Sequence, residues 1–238
     1  MRREITGELL KLKTTRMAYW LGAAMLAIIA LMVITNNSAV TREISKPLHE
    51  QQLYFFTVFL GRLMLLILGI RLVTDEYRHG TIVPTLLAVP NRRRVIAAKV
   101  AAAVGVGLLL MVLAEIVMVS TMAALAASEG TSLHIPAASR RALWGTALSG
   151  AVWPALGVGI GAIVRHQIPA IVGSLVWLMG IEQSLNPQLE IRRYLPGDAG
   201  MAFALVPDGW MFAGAVLVAY LAVAVGSGAA LMARRDVA

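Results

Sequence analysis

The chain reads as an all-α polytopic membrane protein with six transmembrane helices, and three observations carry that reading. Of 238 residues, 58% are hydrophobic and only 14% charged, a balance too apolar for one soluble core. Several uncharged runs approach the ~20 residues that cross a hydrocarbon layer as a helix. The basic side chains gather at the ends of those runs, where membrane orientation requires them. The formal net charge of +8 is thereby explained without a nucleic-acid partner. With no cysteine, neither a disulfide nor a thiolate metal site can form.

Residues 1–16 set Ile5, Leu9, Leu10 and Leu12 among Glu8, Lys11, Lys13 and Arg16 at three- and four-residue steps, the pattern of an amphipathic helix lying on the membrane. The first span, 17–36, carries no charge and opens with Tyr19 and Trp20, which favour the interface. The uncharged run continues to Val40, longer than the core of a cleaved leader, and no Ala-x-Ala site follows it. Spans 53–73 and 100–126 each hold one charge, Arg62 and Glu115. A charge near the bilayer centre costs roughly 2.5 to 3.5 kcal/mol on the insertion scale, so each needs a partner or water. Arg62 lies nine residues from Leu53 and Glu115 eleven from Ala126 on antiparallel spans, a similar depth at which the two could pair, either to lock the helices together or to handle substrate.

Span 142–164 contains Pro154 and Gly157, Gly159 and Gly161, which permit a kink and close helix contact. The run 167–182 is short and ends at Glu182, residues 186–209 form either an outer loop or a re-entrant element, and 210–233 is the last span. With the amino terminus inside, Lys and Arg number fourteen on the cytoplasmic side against six outside, Arg62 completing the total of 21. Both termini are therefore expected in the cytoplasm, and the protein in the plasma (inner) membrane.

The polar stretch 74–99 between the second and third spans concentrates charge and turn formers. Thr74 is placed to cap a helix opening with Asp75 and Glu76, Gly80 to bend the chain, and Thr81 to cap a short second helix that Pro90 stops. Asn91 then caps the next helix. Enzyme chemistry is poorly supplied. There is no G-x-x-x-x-G-K-[ST] loop to hold a nucleotide, and none of the four histidines, His49, His79, His134 and His166, sits in a metal-binding pair. No G-x-S-x-G serine is present. An intramembrane enzyme would have little beyond Glu115 to use.

The segment TDEYRHGTIVPTLLAVPNRRRVIAAK, residues 74–99, closely resembles the stretch between the second and third helices of the ABC-2 type permeases. The matching positions are Glu76, Gly80, Thr81, Leu86, Leu87, Pro90, Arg92, Arg93, Arg94 and Lys99. GELLKLKTTR, residues 7–16, resembles the interface helix these permeases carry before their first span, and Tyr194, Leu195 and Pro196 give a weaker likeness in the last outer loop. The resemblance implies a permease subunit of an ATP-binding cassette exporter, forming the path as a dimer. A separate cytosolic ATPase would carry ATP and magnesium, so this chain binds no cofactor directly. It further implies a coupling element at Asp75, Glu76, Arg78, Gly80 and Thr81, with Glu76 as the foremost ATPase contact. A non-transporting scaffold or sensor with the same fold is the alternative, since fold does not fix function.

Overall fold

The structure is a computed structural model that describes residues 2–35, 47–89, 91–128, 130, 137–206 and 209–234, with side chains for all of these except 2, 3, 17, 47–56 and 137–139. Every regular element among the described residues is helical. The expected stop at Pro90 and the flanking charges Arg42, Lys46 and Arg235 lie outside them.

Helix α1 (Arg2–Thr14) leads through Thr15 into α2 (Arg16–Thr35). Helix α3 (Pro47–Arg78) turns at Gly80 into the short α4 (Ile82–Ala88), and α5 (Arg92–Ser128) follows. Helix α6 is Ala137–Val164. Helix α7 (Gln167–Leu175) continues through a π-helical turn, Val176–Ile181, into the three-residue α8 (Glu182–Ser184). A 3-10 turn at Glu190–Tyr194, the ten-residue α9 (Pro196–Leu205) and α10 (Trp210–Arg234) complete the described chain. Five helices, α2, α3, α5, α6 and α10, contain windows long and apolar enough to cross a bilayer. The stretch 167–182, expected as a short span, belongs to a composite of α and π turns that runs to Ser184.

Three local expectations are corrected. Thr74 does not start a helix: α3 runs on to Arg78, and the Thr74 hydroxyl donates to the Ile70 carbonyl at 3.0 Å. The apolar face through Ile70 and Val73 keeps packing, so tertiary contact outweighs the cap signal. Asp75 and Glu76 consequently sit at the negative end of the α3 dipole, and cations offset this: Arg71 pairs with Asp75 at 3.0 Å, and lysines reach Glu76. Thr81 holds the N-cap position of α4 without a side-chain cap bond, its carbonyl instead accepting from the Thr85 amide at 3.2 Å and the Thr85 hydroxyl at 2.9 Å. Asn91 does cap α5, accepting from the Arg94 amide at 3.3 Å.

Helix α6 is the hub. Its glycines let four other helices approach backbone to backbone. A Cβ on Gly157 would stand 2.2 Å from the Leu66 carbonyl oxygen of α3, and one on Gly150 2.7 Å from the Gly107 oxygen of α5. Likewise Gly159 meets Ala224 of α10 and Gly145 meets Ala204 of α9. Pro154 is accommodated inside α6 because Gly69 of α3 leaves room for its carbonyl, 2.0 Å from where a Cβ would be. Small residues at interfaces are how apolar helices gain dispersion contact when lipid competes equally for hydrophobic surface.

Gly157→Val should therefore lower thermal stability in detergent by an amount at or above the roughly 1–3 kcal/mol typical of overpacking. Gly105→Ala, where a Cβ meets nothing within 4 Å, should be neutral or stabilising. Equal melting temperatures for the two variants would refute the close packing of α3 on α6.

Candidate functional site

The short helix α4 and the ends of α1, α3 and α5 meet at the Arg- and Lys-rich end of the bundle, and at their junction lies Lys99. Its spacing from Val95, Ala102 and Ala103 places it on the packed face of α5, and it is 0% exposed. A buried ammonium needs every proton bonded and its charge matched. Lys99 Nζ donates to Glu8 Oε2 at 2.8 Å and to the Leu72 carbonyl at 3.0 Å, and forms an ion pair with Glu76 Oε1 at 2.8 Å. Lys11 Nζ closes the ring, donating to Glu8 Oε1 at 2.8 Å and Glu76 Oε1 at 2.6 Å. Two ammoniums and two carboxylates thus tie α1, α3 and α5 together. Burial opposes the Lys11 charge, but its bonds to Glu76 and Glu8 outweigh burial and hold the ammonium above the ordinary lysine pKa. The contribution of that ion pairing is present through neutral pH and is lost only as pH rises through this raised value.

The coupling residues expected from sequence are now placed. Glu76 is 7% exposed and belongs to the cluster, so it is not an open docking contact. Asp75 pairs with Arg71, and Arg78 Nη1 donates to Gln167 Oε1 at 3.1 Å. Gly80, with φ of 66°, makes the bend, and both it and Thr81 are exposed. On α4, Ile82 is buried against Val73 and Ile96, whereas Val83 and Leu87 are 46% and 77% exposed. On α1, Glu8 faces inward, while Leu9, Leu10 and Lys13 face outward, and Arg16, the first residue of α2, is also exposed.

The intramembrane pair is corrected. Among the described residues no ion pair joins Arg62 to Glu115. Arg62, 1% exposed, donates through Nη1 to the Gly197 carbonyl of α9 at 2.6 Å, and its guanidinium lies 4.7 Å from the Phe59 ring centre and 5.6 Å from that of Trp153. Its carboxylate neighbours are Glu182 and Asp198. Glu115 lies against the α6 backbone at Ala147. Trp153 and Ala147 are six residues apart on α6, roughly 9 Å in depth at about 1.5 Å per residue. Counting from the ends of apolar runs missed this because α3 and α5 extend past those runs by different lengths, and because depth says nothing about which way a helix face points.

Sequence reasoning also missed the partners of Arg62. Glu182 is 0% exposed and accepts from Trp177 Nε1 at 2.7 Å across the π turn. Arg192 forms a salt bridge to Asp198 and donates through Nη1 to the Leu185 carbonyl at 3.0 Å. The available signal was the closeness of Glu182, Arg192 and Asp198 around a Pro- and Gly-bearing turn.

Lys99→Met should destabilise the protein by about 3–5 kcal/mol, the cost of stranding a buried partner, and adding Glu8→Gln should recover part of that loss. A double-mutant cycle on thermal unfolding in detergent checks this; strictly additive losses would mean the cluster is not a unit. For Arg62→Met and Glu115→Met the opposite holds. Their losses should add within about 0.5 kcal/mol, because they share no partner, and a large coupling energy would restore the direct pair.

The composition, the bundle and the bent element at the basic end agree with one comparison. The family model described as ABC-2 family transporter protein matches residues 5–180, which include α1, the ion cluster, α4 and most of the composite segment. No curated protein matches the chain. A match over most of the chain makes this protein a member of the ABC-2 family of transporter proteins.

Proposed function

We propose that the chain is the membrane-spanning permease subunit of an ATP-binding cassette exporter, driven by a separate cytosolic ATPase that holds ATP and magnesium. The observation that carries this reading is α4. It exposes Val83, Pro84, Leu87 and Ala88 on one side, an apolar patch standing on the basic end of the molecule, while Ile82 and Leu86 anchor the other side. Apolar surface in such a place is the signature of a protein contact. Behind it, α3 is continuous, so displacement of α4 is passed into a membrane helix rather than absorbed. Glu76 holds this lever in place through Lys99 and Lys11, and the ATPase contact falls to Gly80, Thr81, Val83 and Leu87.

The remaining parts of the reading follow from the same frame. The segment 167–184 serves as the sixth crossing, which places both termini in the cytoplasm. On α5, Leu109, Val112, Leu113 and Ile116 form an exposed apolar stripe at helical spacing, suited to a second permease subunit. α9 packs back among α3, α6 and α10, as a re-entrant element does.

With tagged protein from native membranes, an ABC ATPase should co-purify, and Val83→Asp with Leu87→Asp should reduce its recovery at least about tenfold without loss of membrane insertion. Undiminished recovery would overturn the α4 contact. ATPase recovery without substrate-stimulated hydrolysis in vesicles would favour the scaffold or sensor instead.

A further inference from the structure

The two clefts flanking the end of α3 differ in charge. One, of about 360 Å³, is lined by the ion cluster and carries acidic as well as basic groups, Glu8, Asp75 and Glu76 among them. The other, of about 730 Å³, opens between α3, α4 and the start of α7; no carboxylate lines it, and its polar wall is Thr74, Tyr77, Arg78, Arg165, His166 and Gln167. Its apolar wall includes Val83 and Ile168, the latter 75% exposed.

The basic wall is held in place by bonds that leave donors to spare. Arg165 sits at φ 62°, its Nη2 donates to the Leu231 carbonyl at 3.2 Å, and its guanidinium lies 5.3 Å from the Tyr77 ring centre, yet its buried Nε makes no bond. The Tyr77 hydroxyl is likewise buried with no partner. Arg78 spends one nitrogen on Gln167 and keeps the rest of its fork. The free N–H donors of the exposed Arg78 fork, the Arg165 charge beside it and the lack of a competing carboxylate fit a phosphate group.

We infer that this cleft binds the phosphodiester headgroup of an anionic phospholipid of the inner leaflet. The lipid, rather than a free phosphate or a protein, is selected by the apolar wall. Ile168 begins the exposed stripe that continues through Val172 and Val176 into the membrane, so acyl chains attached to a phosphate seated at Arg78 have a surface to lie along. A soluble anion would leave that wall wet. This site is independent of whether the chain transports anything.

The test is native mass spectrometry of the full chain in detergent, titrated with phosphatidylglycerol or phosphatidylcholine. Phosphatidylglycerol should be retained over phosphatidylcholine, and Arg78→Gln should weaken its retention about fivefold, the effect of one basic side chain at an anionic surface. Arg78 is exposed, so the variant should fold, which its thermal unfolding checks. Arg93→Gln removes an exposed charge outside the cleft and should leave retention unchanged; an equal loss would mean diffuse attraction and overturn the site. So would equal retention of the two lipids, an unaltered Arg78→Gln, or displacement of the lipid by inorganic phosphate at matched concentration. Loss of ATPase recovery in Arg78→Gln with lipid retention intact would assign the cleft to the protein partner instead.

Discussion

The ammonium of Lys99 is the constraint on which the basic end of this molecule depends. A lysine with no exposed surface is stable only if its charge is matched and its protons find acceptors, and here two carboxylates and a backbone carbonyl from elements far apart in sequence surround it. Glu8 must be delivered by α1, Glu76 by the last turn of α3, and the Leu72 carbonyl by the turn before it. Helix α1 is thereby fixed to the helix ends beside it. Because the ring contains as many carboxylates as ammoniums, removing one member strands another, and the arrangement is specified as a whole.

That fixed point gives α3 its mechanical character. The same helix carries Glu76 near one end and Arg62 farther along, fourteen residues and roughly 21 Å apart at about 1.5 Å per residue. Between them, Gly69 seats the Pro154 carbonyl of α6, while Leu66 and Ile70 meet the glycines of that helix. Backbone contacts of this kind have little slack, since no long side chain can change rotamer to absorb a shift. Movement of α4 therefore arrives at Arg62 as movement of a packed pair of helices, and Arg62 is bonded to α9.

Much of this frame was legible in the sequence because it rests on local rules. Apolar run length and basic flanks gave the long helices, and the turn formers around Gly80 gave the bend. What was not legible depends on which way a face points. Lys99 reads as one more headgroup cation until α5 is seen to begin at Arg92, which sets Lys99 on the same side as Ala102 and Ala103. Thr74 and Asp75 carry a strong helix-start signal, overridden by the packing of Val73. Arg62 and Glu115 were matched by depth alone, and depth fixes neither azimuth nor the length by which a helix overruns its apolar core. The buried role of Glu182 needed the return of α9, a contact between segments that no periodicity encodes.

The two buried polar clusters differ in how completely they are satisfied, and this sets where the molecule yields first. In the Lys99 cluster the ammonium donates to Glu8 and the Leu72 carbonyl and pairs with Glu76, and only one Glu76 oxygen lacks a bond. Around Arg62, by contrast, Nε and Nη2, Glu182 Oε2 and Trp153 Nε1 all lack one. Breaking a fully bonded buried network costs each of its interactions at once, whereas a partly bonded one has less to lose and donors ready for new acceptors. The neighbouring backbone has the same character. The π turn at Val176–Ile181 departs from regular helix hydrogen bonding beside Glu182, and Arg62 of α3 reaches α9 by a bond to the Gly197 carbonyl. A displacement entering at α4 would therefore leave the Lys99 ring intact and be taken up where Arg62, the π turn and α9 meet.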